Sequence, residues 1–235
     1  MRKTILSVVV VLAVSAIAFG QGSYEKPPKE ILDVLNAPAI PATSISPMRD
    51  RIAILEPLRY PPIADLSQPM LRLAGTRVNP NNNAPHLTQY AVKLTLKNVA
   101  DGRETAVALP AGAKISNPQW SPDGKYIAFG NIAAAGVELW LVDTATAKAK
   151  RLGKDYVNTA FGGYGWEGST HISVTLVPAG RGPAPQYRDL VPTGPNIQET
   201  TGRRGAVATV QDLLKSPNDE KRSEERRVGK ECSLP

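Results

Sequence analysis

Apolar and polar positions alternate most clearly in the middle of the chain, from Pro118 to Leu152. Trp120 closes a short apolar segment, and Tyr126-Ile127-Ala128-Phe129-Gly130 follows with strand composition. After a break of small residues comes Val137-Glu138-Leu139-Trp140-Leu141-Val142, then a short basic strand that ends at Leu152. Runs of β-branched and aromatic residues bounded by turn formers are the mark of short strands. The turns between them have identifiable causes. In Ser121-Pro122-Asp123-Gly124 the proline presets a turn φ, Asp123 bonds its own backbone, and Gly124 accepts the left-handed conformation that closes a hairpin. Asp143-Thr144-Ala145-Thr146-Ala147 makes the next turn.

Four short strands joined by tight turns within about 40 residues is the size of one propeller blade. Trp120 supplies a broad apolar plate of the kind that stacked blades bury between them. The pattern recurs. Ser46-Pro47-Met48-Arg49-Asp50-Arg51-Ile52-Ala53-Ile54 aligns without a gap on Ser121 to Phe129, with Met48 and Arg49 in place of Asp-Gly. A weaker copy starts at Trp166, 46 residues after Trp120 and one residue shorter in its turn. The spacing from Ser46 to Ser121 is 75 residues, too long for one blade. The excess falls in Glu56 to Leu87, rich in Pro and Asn, which is expected to be an insertion or an extended edge segment. Tyr90 to Lys97 alternates as a strand, Asp101-Gly102 turns, and Thr105 to Leu109 returns. The expected fold is all-β: an incomplete β-propeller of about three four-stranded blades between Ser44 and Val177. Trp120 and Trp140 are expected to be largely buried. A short amino-terminal helix over Pro28 to Leu35 is expected to dock Ile31 and Leu35 on the sheet, because so short a helix cannot stand alone.

The run WSPDGK followed by LWLVD resembles the blades of TolB-like propellers and of the propeller domains of prolyl oligopeptidase-family serine peptidases. Further along, PTGPNIQET (192–200), QDLLKSPNDE (211–220) and LRLAG (71–75) look like the glutamyl-peptidase branch of that family. The resemblance covers residues 27 to 220 and implies a propeller preceding an α/β-hydrolase catalytic domain. The residues that carry it are Trp120, Ser121, Pro122, Asp123, Gly124, Trp140 and Asp143, all read as structural.

Both ends stand apart from this pattern. Arg2-Lys3, the uncharged apolar run Ile5 to Phe19 and Ala18-Phe19-Gly20 read as a secretory signal, too short to span a membrane. No stable membrane anchor is expected, and the protein is expected to be exported, periplasmic or extracellular. Arg222 to Cys232 has no apolar period and resembles the conceptual translation of a sequencing-adapter oligonucleotide, codon for codon. The organisation is therefore a signal peptide (1–20), an amino-terminal segment with a short helix (21–43), a partial propeller (44–221) and an adapter-like, artefactual tail (222–235). Such a tail is expected to make few contacts with the propeller.

These divisions change the reading of composition. The formal charge of +7 falls to +4 once the leader (+2) and the tail (+1) are set aside. That is an ordinary surface, not the footprint of a nucleic-acid binder. The single cysteine, Cys232, lies in the tail, so thiolate chemistry and a disulfide framework are not expected of the rest.

Candidate chemistry is sparse. A Gly-x-Ser-x-Gly nucleophile elbow is absent: Gly168-Ser169 is followed by Thr170-His171, within an expected hairpin. His86 and His171 have no carboxylate at metal-ligand spacing and read as a loop and a strand-surface histidine. Gly162-Gly163-Tyr164-Gly165 lacks the Lys-Ser/Thr of a phosphate loop and reads as strand and bulge. Arg181, Arg188, Arg203 and Arg204 read as solvated loop residues. No catalytic, substrate-binding or metal residue is assigned, and no cofactor is expected. The resemblance implies the propeller part of an exported serine peptidase, expected to gate peptide access to a catalytic domain beyond Glu220. The alternative is a free-standing TolB-like propeller acting as a binding or scaffold module.

Overall fold

The computed structural model describes residues 26–86, 88–178, 180, 214, 217–227 and 230–234. The leader, the four loop arginines and the 192–200 run lie outside these described residues. The chain divides into two compact units, 1–38 and 39–235.

The first unit contains helix α1 (Lys29–Leu35), which follows Pro28 and carries a Lys29–Asp33 ion pair one turn apart. None of its residues is buried: Ile31, Val34 and Leu35 are 51%, 70% and 46% exposed. The helix forms where the sequence places it.

The second unit is a long antiparallel meander. Its strands are β1 (Ala42–Ile45), β2 (Arg51–Pro57), β6 (Ala91–Asn98) and β7 (Glu104–Ala106), then β8 (Ile115–Trp120), β9 (Tyr126–Ile132), β10 (Val137–Asp143) and β11 (Lys148–Val157), then β12 (Tyr164–Glu167) and β13 (His171–Leu176). Within each of these groups neighbours pair along their length. Between groups the ladder shrinks to one residue pair, Ala91↔Ile115 at the first joint and Val157↔Leu176 at the second. The sheet is thus three blades: two of four strands, and a third with two strands of its own. The expectation of about three four-stranded units holds for the first two.

The alternation along blade 2 decides what lies against what. Ile127 and Phe129 of β9, with Trp140 and Val142 of β10, pack into a core shared with Leu55, Leu94, Leu96 and Val107 of blade 1. The positions between them, Ala128, Val137, Leu139 and Leu141, pack with Ile172, Val174 and Leu176 of blade 3. Successive side chains of a strand point to opposite faces, so one strand serves two cores. A sheet buried on both faces by neighbouring sheets is the packing of a propeller. Phe129 is fully buried and stacks on its cross-strand neighbour Trp140 with ring centroids 6.4 Å apart. That burial is worth about 2–3 kcal/mol. Trp120 and Trp140 are largely buried, as expected, without being fully enclosed. Each indole keeps its N–H on a polar partner, Ser44 Oγ and Glu138 Oε2, near the edge of the core.

The repeated turns superpose in detail. Ser46 N–H bonds Arg51 O and Arg49 N–H bonds Ser46 O; one blade later Ser121 N–H bonds Tyr126 O and Gly124 N–H bonds Ser121 O, all at 2.8–2.9 Å. Arg49 (φ 58°) occupies the left-handed position that Gly124 (φ 70°) fills in the second copy. The two turns also touch: a Cβ on Gly124 would stand 2.6 Å from Ser46 Oγ. Gly124 is needed twice over, for its φ and for its bareness.

Residues 58–90 are an insertion, as expected, but they build structure of their own. It holds a helical turn, α2 (Ile63–Leu66), and a three-stranded antiparallel sheet of β3 (Leu71–Leu73), β4 (Thr76–Asn79) and β5 (Ala84–Pro85). Leu73, Val78 and Ala84 are buried. The tail also departs from expectation. Helix α3 (Pro217–Arg227) leads to strand β14 (Lys230–Leu234), which pairs with β13 over five residues, from Ile172↔Leu234 to Leu176↔Lys230. An open strand edge presents a row of unmet donors and acceptors, which accepts any extended segment within reach.

Candidate functional site

The motif residues read from the sequence hold turns. Ser121, fully buried, donates its hydroxyl to Asp123 Oδ1 at 2.7 Å and accepts the Tyr126 N–H at 3.0 Å. That hydroxyl, helped by the Lys125 N–H, holds the Asp123 carboxyl below its usual range. Pro122 is exposed in the same turn. Asp143 Oδ1 accepts the N–H groups of Ala145 and Thr146, both at 2.9 Å, and the Thr146 bond lowers its carboxyl. Thr144 Oγ1 reaches Gly124 O and Lys125 O, tying the β10–β11 turn to the β8–β9 turn.

The other sequence candidates stay apart. His86 follows β5 and bonds Gln68 O through Nε2 at 3.0 Å. His171 opens β13, exposed, beside Thr170. Ser169 lies in the β12–β13 hairpin turn, a strand-to-strand connection where an elbow needs strand-to-helix. Gly163 (φ 140°) passes its carbonyl to Thr175 N–H as the chain enters β12, so the glycine run is strand and bulge.

The structure brings together a different group. A cleft of about 160 Å³ opens between the insertion and the first blade joint, walled by Leu58, Pro61, Pro85 and Ile132. At its side Asp65 of α2 holds Lys114, which precedes β8, with both oxygens, at 2.7 and 2.9 Å. Tyr90, which precedes β6, donates its hydroxyl to Asp65 Oδ2 at 2.7 Å, and the Lys114 ammonium lies 5.0 Å from the Tyr90 ring centre. The Lys114 and Tyr90 hydrogen bonds hold the Asp65 carboxyl below its ordinary value. Burial, then the Asp65 hydrogen bond and charge, push the Tyr90 phenol up to about 12. A general acid or base works best with a pKa near the operating pH. The Asp65 carboxyl is held low and the Tyr90 phenol high, so neither is moved toward that range.

Sequence reading missed this group because its members are 25 and 49 residues apart and carry no shared motif. The one available signal was position: Tyr90 and Lys114 each stand immediately before a strand that begins at the same joint. A second polar network sits in blade 2. Burial raises the Glu138 carboxyl, but bonds from Asn131 (3.0 Å) and Trp140 (2.8 Å) and the charge of Arg151 outweigh it and hold it low.

No family model matches the chain. The protein named "Probable glutamyl endopeptidase, chloroplastic" in Oryza sativa subsp. japonica is 33% identical over 211 residues, 83% of this chain and 22% of that protein. The protein of the same name in Arabidopsis thaliana is 34% identical over 217 residues, 86% of this chain and again 22% of the relative. The chain therefore spans about a fifth of the length of these relatives. Among solved structures, acylaminoacyl peptidase of Pyrococcus horikoshii matches 54% of this chain and 16% of its own, at 18% identity and a TM-score of 0.31. TolB from Acinetobacter baumannii matches 64% of this chain and 40% of its own, at 18% identity and a TM-score of 0.27. By its sequence relatives and its blades, the chain belongs to the prolyl oligopeptidase family, as a β-propeller portion akin to the glutamyl endopeptidases.

Proposed function

We propose that this chain is the amino-terminal propeller portion of an exported serine peptidase, and that it limits access of peptides to an α/β-hydrolase catalytic domain encoded beyond Glu220. The observation that carries this is the match to two glutamyl endopeptidases over more than four fifths of the chain. Two supports come from chemistry. The turn residues are committed to backbone bonds, and Asp65, Lys114 and Tyr90 are bonded to one another, so the described residues of the propeller offer walls and charge. Short or unfolded peptides would pass where folded proteins would not. Export rests on the basic and apolar pattern of residues 2–19, read as a cleavable leader.

Sequencing the source DNA across the codon for Glu220 tests the reading. The frame is expected to continue through further blades into a Gly-x-Ser-x-Gly elbow. The encoded protein is expected to cleave short peptides under inhibition by a serine-directed reagent, while the 235-residue chain turns over none. A genomic stop codon directly after the tail would overturn it, leaving a free-standing propeller. Export is checked separately by the amino-terminal sequence of protein recovered outside the cytoplasm, expected to start at Gln21.

A further inference from the structure

The insertion leaves and rejoins blade 1 through a closed neck, where the Leu58 N–H bonds Tyr90 O at 3.1 Å. The cleft beside this neck is a fixed recess. Its wall residue Ile132 donates its N–H to Lys114 O, and Asn131 Oδ1 accepts the Lys114 N–H, both at 3.0 Å. Its charges are spent on one another: Asp65 takes Lys114 with both oxygens and Tyr90 with one, and the Lys114 ammonium rests over the Tyr90 ring. The Arg59 guanidinium lies over the neighbouring Tyr60 ring, 5.1 Å from its centre. Two things are left to face an incoming group. One is the apolar surface of Leu58, Pro61, Pro85 and Ile132. The other is the side-chain amide of Gln89, exposed and bonded to no described residue. A space of about 160 Å³ takes a group about the size of one benzene ring, the scale of a leucine side chain or a proline ring.

We propose that this cleft is a peptide subsite: it takes one uncharged, apolar side chain of an extended peptide, and Gln89 bonds the peptide unit beside it. A carboxylate or an ammonium entering the cleft would lose water and find Asp65 and Lys114 already paired, whereas an aliphatic group gains by leaving water. A carboxamide carries both donor and acceptor, which complements a peptide unit carrying the same pair. Apolar walls with a few placed polar groups are how small-ligand sites are built. Helix α2 extends the surface outward: it turns Asp65 in toward Lys114 and leaves Ile63 and Leu66 exposed, so residues flanking the bound one meet apolar surface as well. The inference deepens, and rests on, the reading of the propeller as a gate for peptides. It gives that gate a preference, for chains with an apolar residue over uniformly charged ones.

Blocked pentapeptides of the form Gly-Gly-X-Gly-Gly, with X leucine, proline, glycine or glutamate, test this when titrated into the 235-residue chain and followed in its amide NMR spectrum. The leucine and proline peptides are expected to bind about tenfold tighter than the glycine peptide, and the glutamate peptide no tighter than glycine. Raising the salt to about 0.5 M is expected to leave this order unchanged, since no charge is matched. The amides of Leu58, Gln89 and Lys114 are expected to shift. Gln89→Ala breaks no bond within the fold and is expected to weaken the leucine peptide about fivefold. Leu58→Asp is expected to erase the preference for leucine over glycine. Equal binding of all the peptides, tightest binding by the glutamate peptide, or shifts confined to residues away from the cleft would each overturn the subsite. Dimerisation with rising concentration, seen by light scattering with the same amides shifting in the absence of peptide, would give the cleft to a second copy and overturn the peptide occupant. Failure of the peptidase reading shows separately, as a genomic stop codon, and leaves the order of peptide affinities intact.

Discussion

Trp120 at the end of the first strand of blade 2 donates its indole N–H to Ser44 Oγ on the first strand of blade 1, at 3.0 Å. One blade later Trp166, at the equivalent place, donates to Gln119 O of blade 2 at 3.2 Å. The spacing of 46 residues between the two tryptophans is therefore the repeat of a joint as well as of a strand. Each indole faces both ways: its ring covers the core between two blades, and its polar edge bonds the backbone or side chain of the preceding one. Trp120→Phe, which keeps most of the ring and loses the bond, is expected to cost about 1 kcal/mol. Trp120→Ala is expected to cost about 3 kcal/mol, at the low end for a tryptophan because the ring is not fully enclosed. Urea denaturation of the two variants separates bond from plate; equal costs would refute this division.

Arg49 and Gly124 occupy the same left-handed position in the two repeated turns, and only one of them is glycine. Arg49→Gly is expected to stabilise the chain by about 1 kcal/mol through relief of backbone strain. Gly124→Ala is expected to destabilise by more than that, since its Cβ would meet Ser46 Oγ as well. Thermal melting of both variants checks the opposite signs.

The Asp65 carboxyl lies below its ordinary value of 3.8 in the folded protein, so it binds protons less tightly there than in the unfolded chain. Its contribution to stability is full above that ordinary value and is lost as the pH falls from about 4 through the lower folded-state value. Asp65→Asn is expected to reduce stability by about 1 kcal/mol at pH 7. It is also expected to shrink the loss of stability below pH 4. Denaturation midpoints at pH 7, 4 and 3 test both; an unchanged acid limb in the variant would count against the ion pair.

Tyr90 gives the same group an alkaline signature. Its phenol, raised from 10 to about 12, contributes stability that is present below pH 10 and lost as the pH rises toward 12. In the absorbance titration of tyrosinate, Tyr90 is expected among the late-ionising residues. Asp65→Asn removes the negative charge and is expected to move it back toward 10. Tyr90→Phe identifies the step.

The insertion is anchored at a second point, where Asn83 donates to Asn158 Oδ1 at 2.6 Å in a buried setting and accepts the Ala160 N–H. Asn83 also has φ 55°. Asn83→Ala combines a lost buried bond with left-handed strain and is expected to cost about 2–3 kcal/mol. Asn83→Gly, free of the strain, is expected to cost about 1 kcal/mol less. Denaturation of the pair tests the split, and proteolysis is expected to cut residues 58–90 of the alanine variant first.

Local chemistry explains what the sequence made legible. The β8–β9 turn, the repeat at Ser46 and the strands of blade 2 are written in adjacent residues, through Pro122, Asp123, Gly124 and a period of two. The small sheet of the insertion was not, because β3 to β5 are two to four residues long and rest on asparagine turns. The polar partners of the Trp120 and Trp140 indoles, Ser44 and Glu138, are set by strand pairing, which no spacing along the chain reveals. The pairing of residues 230–234 uses the edge that β13 offers, and along the tail only Cys232 and Leu234, which stand opposite Val174 and Ile172, hint at a strand. The Asp65–Tyr90–Lys114 group is legible only once the first two blades have met.

Blade 2 is a party wall. Ile127 and Phe129 belong to one room and Ala128 to the next, so neither core can be opened without moving β9. Stability in such an array passes between nearest neighbours, like coupling along a row of spins. Cooperative unfolding of blades 1 and 3 must then be relayed through a strand seven residues long, and damage to its two faces is told apart by which neighbour melts with it.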